Sequence, residues 1–70
     1  MKRAQFIRTL KRAAELAQVD FREVEWTNHT ALYVGGQVTT LGRHREIDEI
    51  TVRKINKYFE ETLGKGWWIK

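Results

Sequence analysis

Two histidines, His29 and His44, are the side chains of this chain best suited to moving a proton near neutral pH. An unperturbed imidazole titrates at about 6.5, so both of its forms are available there. His29 follows the short polar pair Thr27-Asn28, while His44 lies between Arg43 and Arg45. Paired arginines beside an imidazole are the residue types that phosphate chemistry needs, because guanidinium groups hold phosphate oxygens through forked hydrogen bonds. The alternative for Arg43 and Arg45 is ion pairing with Glu46 or Asp48. The chain has no cysteine, which removes disulfides, iron–sulfur clusters and cysteine-rich zinc sites together. The context of the two histidines does not resemble a zinc helix or finger, so no metal and no cofactor is expected.

The charge around these groups is basic. Thirteen Lys and Arg against nine Asp and Glu leave a formal charge of +4. Lys2, Arg3, Arg8, Lys11 and Arg12 precede the first acid, Glu15; a second cluster is Arg43-His44-Arg45, and a third is Arg53, Lys54 and Lys57. Such clustering suits a polyanionic partner through counterion release and steering, or else forms a solvated face. No apolar run approaches the length of a membrane span, and Met1 to Phe6 has no apolar stretch behind its charges. The expectation is a soluble cytoplasmic protein with no membrane partner.

Seventy residues make one domain, 1–70, with a tail at 64–70. Phe6, Leu10, Ala13 and Ala17, flanked by Ile7 and Ala14, recur at helical spacing and predict a helix from Lys2 to about Val19. Arg22 to Trp26 alternates, predicting a strand with Val24 and Trp26 inward. Thr30–Val34 and Gln37–Leu41 flank Gly35-Gly36, which predicts a primed hairpin turn. That turn sets Val34 opposite Gln37, Leu32 opposite Thr39 and Thr30 opposite Leu41. Leu32, Val34 and Leu41 then form the buried face, and His29 stands on the open side. A second helix is predicted from about Asp48 to Leu63, with Asp48 or Thr51 as N-cap, Val52, Ile55, Phe59 and Leu63 as its stripe, and Gly64 as its stop. Trp67 and Trp68 either pack on the thin core or dock on a partner; packing is favoured because so small a domain needs apolar area. The fold class is therefore α+β, a three-stranded antiparallel sheet with two helices on one face in the order α-β-β-β-α, the layout of double-stranded-RNA-binding domains.

Within that order, two segments resemble the HicA family of toxins. Thr27-Asn28-His29 opens the second strand where the family places a small residue or asparagine before its catalytic histidine. Leu41-Gly42-Arg43-His44-Arg45-Glu46-Ile47, followed by Thr51-Val52-Arg53-Lys54-Ile55, looks like the family's proline-x-histidine loop leading into its last helix. The resemblance spans about residues 2 to 64. Gly42 replaces the usual proline, and Thr27-Asn28 replaces a common glycine-serine. The resemblance implies a toxin of a type II toxin–antitoxin system, a metal-independent endoribonuclease acting on mRNA and held inactive by a HicB-like antitoxin protein. It assigns the essential role to His29.

Such cleavage uses the ribose 2′-hydroxyl as an internal nucleophile, so the protein supplies a base, an acid and positive charge for the phosphorane. The expected RNA-binding set is Lys2, Arg3, Arg8, Lys11, Arg12, Asn28, Arg43, His44 and Arg45, with His44 either contacting phosphate, structural, or a second acid or base. Two alternatives accompany this reading. One is an RNA-binding module of the same fold without catalysis; the other is a protein-interaction domain using Trp67 and Trp68. No helix-turn-helix spacing is present to support DNA binding.

Overall fold

Alanine and long aliphatic residues at i, i+4 spacing drive the first element, α1, over Arg3–Ala17. The computed structural model, which describes residues 1–69, buries Phe6, Leu10 and Ala14 on one side of it. Ala17 is exposed and Ala14 takes its place in the stripe, because an i, i+4 row starting at Phe6 runs through Ala14. The helix stops at Gln18, which adopts the left-handed conformation with φ 59. The Gln18 amide donates to Glu15 O and the Val19 amide to Ala14 O, closing the last turn as a Schellman motif and delivering Val19 to the core.

Three strands follow, β1 (Phe21–Glu25), β2 (Thr30–Val34) and β3 (Gln37–Leu41), in sheet order β1-β2-β3 and antiparallel throughout. The β2–β3 register is Thr30↔Leu41, Leu32↔Thr39 and Val34↔Gln37, as the Gly35-Gly36 turn requires. Only Gly35 of that pair takes a positive φ, 58, and a Cβ there would stand 2.9 Å from Thr62 Cγ2. The turn therefore needs glycine both for its conformation and for its approach to the last helix.

Leu32, Val34 and Leu41 line the buried face, as expected. The expectation for β1 fails. Phe21 pairs with Val34 and shares its face, so Phe21 packs against the core while Val24 falls on the opposite face and Trp26 is exposed. Alternation within β1 is the same in either reading; only pairing with β2 decides which set turns inward.

The second helical region is two elements, α2 (Glu49–Tyr58) and α3 (Glu60–Leu63), not one. Phe59 interrupts them with φ −82 and ψ 2, and the Thr62 amide bonds three residues back to Phe59 O. The break falls where two adjacent aromatics diverge. Phe59 enters the core completely, while the Tyr58 hydroxyl reaches the outer edge of β3, donating to Val38 O and accepting from the Val38 amide. Gln37 reinforces that edge through Nε2 to Tyr58 O, and its Oε1 accepts from Thr62 Oγ1. One edge of the sheet is thereby covered, which blocks pairing with another chain there. Ile55 and Phe59 from α2 and its junction meet Phe6, Leu10 and Ala14 of α1 over the same face of the sheet. The fold is α+β, α-β-β-β-α with its last helix divided. Among the described residues no helix is long and apolar enough to cross a membrane.

The tail packs. Trp67 lies against the core cluster, and its Nε1 donates to Asn56 O at 2.8 Å; Trp68 meets it edge-on with ring centroids 5.9 Å apart. Trp67→Ala is expected to cost about 2–3 kcal/mol through lost contact and the orphaned carbonyl. That is a large share of the stability of so small a domain, so urea titration should show a clearly lower midpoint.

Asp48 caps α2: Oδ1 accepts from Thr51 Oγ1 at 2.6 Å and Oδ2 from the Thr51 amide at 3.2 Å. The Thr51 hydroxyl, then the Thr51 amide, hold its carboxyl below the ordinary 3.8. A lowered folded-state pKa stabilises the protein above the unfolded value and is lost as pH falls through the folded one. Thermal unfolding should therefore show a Tm that declines below about pH 4, and Asp48→Asn, which keeps an acceptor for the cap, should flatten that part of the decline.

Candidate functional site

The polar pair Thr27-Asn28 makes the tight turn between β1 and β2, and the Trp26 amide closes it by donating to His29 O at 2.7 Å. His29 thus occupies the last position of the turn, exposed, with its ring in no hydrogen bond among the described residues. The β1–β2 register continued by one pair sets it opposite Trp26, on the face of the sheet away from the helices. Asn28 beside it is also exposed.

The turn is braced from outside by Arg43. Its Nε and one terminal nitrogen bind Glu25 Oε1, each at 3.0 Å. Its other terminal nitrogen donates to Thr27 O at 3.2 Å, and the first also reaches Trp26 O and, at 3.4 Å, His29 O. The planar fork of a guanidinium suits several carbonyls converging at a turn, where a lysine could not satisfy them together. Arg43 pairs neither with Glu46 nor with Asp48, the acids near it in sequence; its partner is Glu25, eighteen residues away.

Glu25 connects this brace to the rest of the fold. Both its oxygens lie within reach of the Thr30 hydroxyl, which donates to it at 3.0 Å to Oε1. Thr30 is completely buried, and its oxygen accepts from an Arg3 terminal nitrogen. Arg3 Nε donates to Gly42 O at 3.0 Å. Two arginines from the expected RNA-binding set, Arg3 and Arg43, are therefore engaged largely by the protein itself. Arg43, read from the sequence as a phosphate fork or an ion-pair partner of Glu46 or Asp48, directs its donors to Glu25 and the turn carbonyls. Arg3, read as part of a basic surface on the first helix, directs donors to Thr30 and Gly42 O. Sequence inspection missed Glu25 and Thr30, whose polar character alone does not distinguish them from other strand residues.

The remaining basic residues fall into separate places. Lys2, Arg3, Arg43, His44 and Arg45, with Ala4 and Glu46, line a depression of about 600 Å³ where the start of α1 meets the segment after β3. Backbone pairing builds it: the Arg3 amide donates to Arg45 O, the Ile47 amide to Met1 O, and Lys2 bridges Glu46. His44 folds back so that its Cδ2 lies 3.5 Å from where a Cβ on Gly42 would stand. Arg8, Lys11 and Arg12 are exposed on the outer side of α1, around a shallower depression with Thr9 and Glu15. Arg53, Lys54 and Lys57 are exposed on α2. Among the described residues, no three His, Asp or Glu side chains gather in a way that could hold a metal ion.

Comparison with family models, with curated proteins and with solved structures returns no match to this chain.

Arg43→Lys retains charge but loses the fork. It is expected to cost about 1 kcal/mol, given the exposure of the Glu25 pair, and to loosen the turn selectively. Amide hydrogen exchange at Trp26 should accelerate while exchange at Leu32 and Val34 stays nearly unchanged.

Proposed function

We propose that the chain is a metal-independent endoribonuclease, a HicA-like toxin that cleaves mRNA in the cytoplasm with His29 as its catalytic residue. The observation that carries this reading is an exposed imidazole on a turn whose carbonyls are held by Arg43, a residue that also lines a basic depression. An uncovered ring on a rigid turn can meet a docked ribose-phosphate, and a fixed turn lowers the cost of aligning it. The imidazole would take the 2′-hydroxyl proton or give one to the leaving 5′-oxygen, and the neighbouring cations would favour the developing phosphorane charge. The resemblance to HicA at Thr27-Asn28-His29 and at the loop from Leu41 to Ile47 supports the same assignment. A HicB-like antitoxin would silence such an enzyme by covering His29.

A second reading is an RNA-binding module of the same fold without catalysis, since the exposed Arg8, Lys11, Arg12 and Arg45 could contact a phosphate backbone with no proton transfer. One experiment separates the two. Purified chain incubated with RNA in excess chelator should cleave it, and His29→Ala should reduce the rate on the order of 10²–10⁴-fold while leaving the Tm close to that of the native chain. Binding without cleavage by the native chain would leave the module; equal cleavage by both proteins would remove His29 from the mechanism. The corresponding expectation in cells is growth arrest from the native chain and none from His29→Ala.

A further inference from the structure

We infer that the depression between the start of α1 and the segment after β3 is a phosphate seat for a nucleic-acid backbone, formed by Lys2, His44 and Arg45. The inference rests on the RNA-directed reading above and adds where a phosphate other than the reacting one is held.

Three observations carry it. The first is shape: an open depression of about 600 Å³ lies where two chain segments are held together by the Arg3 amide to Arg45 O and the Lys2–Glu46 bridge. Backbone pairing holds these two segments together, and the side chains of Lys2, Arg3, Arg43, His44 and Arg45 line the space between them. The second is a division of labour among the lining side chains. Arg3 and Arg43 are tied to Gly42 O, Thr30, Glu25 and the turn carbonyls, whereas Lys2, His44 and Arg45 have no side-chain hydrogen bond or ion pair among the described residues. The inner pair shapes the wall, and the outer three present unengaged donors. The third is charge balance. The only acid in the lining is Glu46, whose one ion pair, to the Met1 amino group, is long at 3.8 Å, and the first turn of α1 contributes no acid. Concentrated positive charge with free donors in a concave wall is the environment a phosphodiester oxygen requires.

Arg43 links this seat to the His29 turn: it is a lining residue of the depression, and its guanidinium donates to His29 O. A strand seated at Lys2, His44 and Arg45 would therefore be adjacent to the His29 turn, and the seat would act as a register point for the strand. Such a contact reads backbone and carries no base preference.

The test measures binding of a short fluorescein-labelled single-stranded RNA by anisotropy across a salt series, in a His29→Ala chain so that cleavage does not interfere. Combining Lys2→Ala with Arg45→Ala should weaken binding roughly tenfold and lower the magnitude of the salt slope by about 1, while Arg45→Lys alone should retain most of the affinity. The comparison variant, Arg53→Ala with Lys57→Ala on α2, removes the same charge elsewhere and should have a markedly smaller effect. Unchanged affinity and slope in the Lys2/Arg45 variant would overturn the seat, as would an equal loss in the α2 variant, which would mean a diffuse cationic field. Loss of antitoxin binding with RNA affinity intact would overturn it too, since the anion recognised would then be a partner's carboxylate. The two proposals fail separately. Cleavage that depends on His29 with no effect of the Lys2/Arg45 change removes only the seat; RNA affinity that depends on Lys2 and Arg45 in a chain that never cleaves removes only the nuclease.

Discussion

A single buried hydroxyl holds together the end of the molecule that carries the His29 turn. Thr30 is fully enclosed at the start of the central strand, accepting from Arg3 and donating to Glu25. Glu25 in turn binds Arg43, which gathers the carbonyls of the β1–β2 turn. The chain of bonds thus passes from the first turn of α1 through two strands to the loop after β3. Thr30 lies in the low-dielectric interior, so losing Arg3 or Glu25 would leave its hydroxyl short of a partner, whereas the exposed Arg43–Glu25 pair is open to water. The charges at its ends remain partly exposed, and the buried centre is a neutral hydroxyl, which avoids the desolvation cost of burying an ion pair.

The rest of the fold supplies the platform on which this network closes. Phe6, Leu10 and Ala14 from α1, Leu32, Val34 and Leu41 from the sheet, and Ile55 and Phe59 from the α2 region form one apolar layer. That layer has few residues to rely on, and the chain adds edge and tail devices to it. Tyr58 seals the outer edge of β3, Asp48 fixes the start of α2, and Trp67 extends the core from the far end while capping Asn56 O. The opposite edge, β1, is uncovered but carries Arg22, Glu23 and Glu25, charged residues that discourage pairing with another chain.

Function, on the reading proposed, is concentrated at the end of the sheet opposite the Gly35-Gly36 hairpin. The turn bearing His29, the brace of Arg43 and the depression beneath Lys2 and Arg45 all converge there. The network explains how one arginine can belong to both features: it organises the turn through carbonyls and walls the depression with its charge. A rigid catalytic turn and a backbone-reading surface can therefore share one structural element.

Much of the architecture was legible in the order of residues, and the reasons are local. The helical spacing of the first segment, the Gly35-Gly36 turn with the register it imposes, a cap at Asp48 or Thr51, and the stop at Gly64 all act within a few positions of the chain, although the buried stripe runs through Ala14 and not through Ala13 and Ala17. The turn before His29 was legible too, since Asn favours turn conformations, and the face on which His29 stands followed from the choice of Leu32, Val34 and Leu41 as the buried set. Only the tertiary structure decided which face of β1 is buried, that the last helix divides at Phe59, and that Arg43 pairs with Glu25 and not with the acids beside it. Each of these depends on pairing between strands or packing between elements far apart in sequence. Alternation along a single strand is symmetric between its two faces, and an arginine's charge does not reveal which of several acids the folded chain will bring within 3.0 Å.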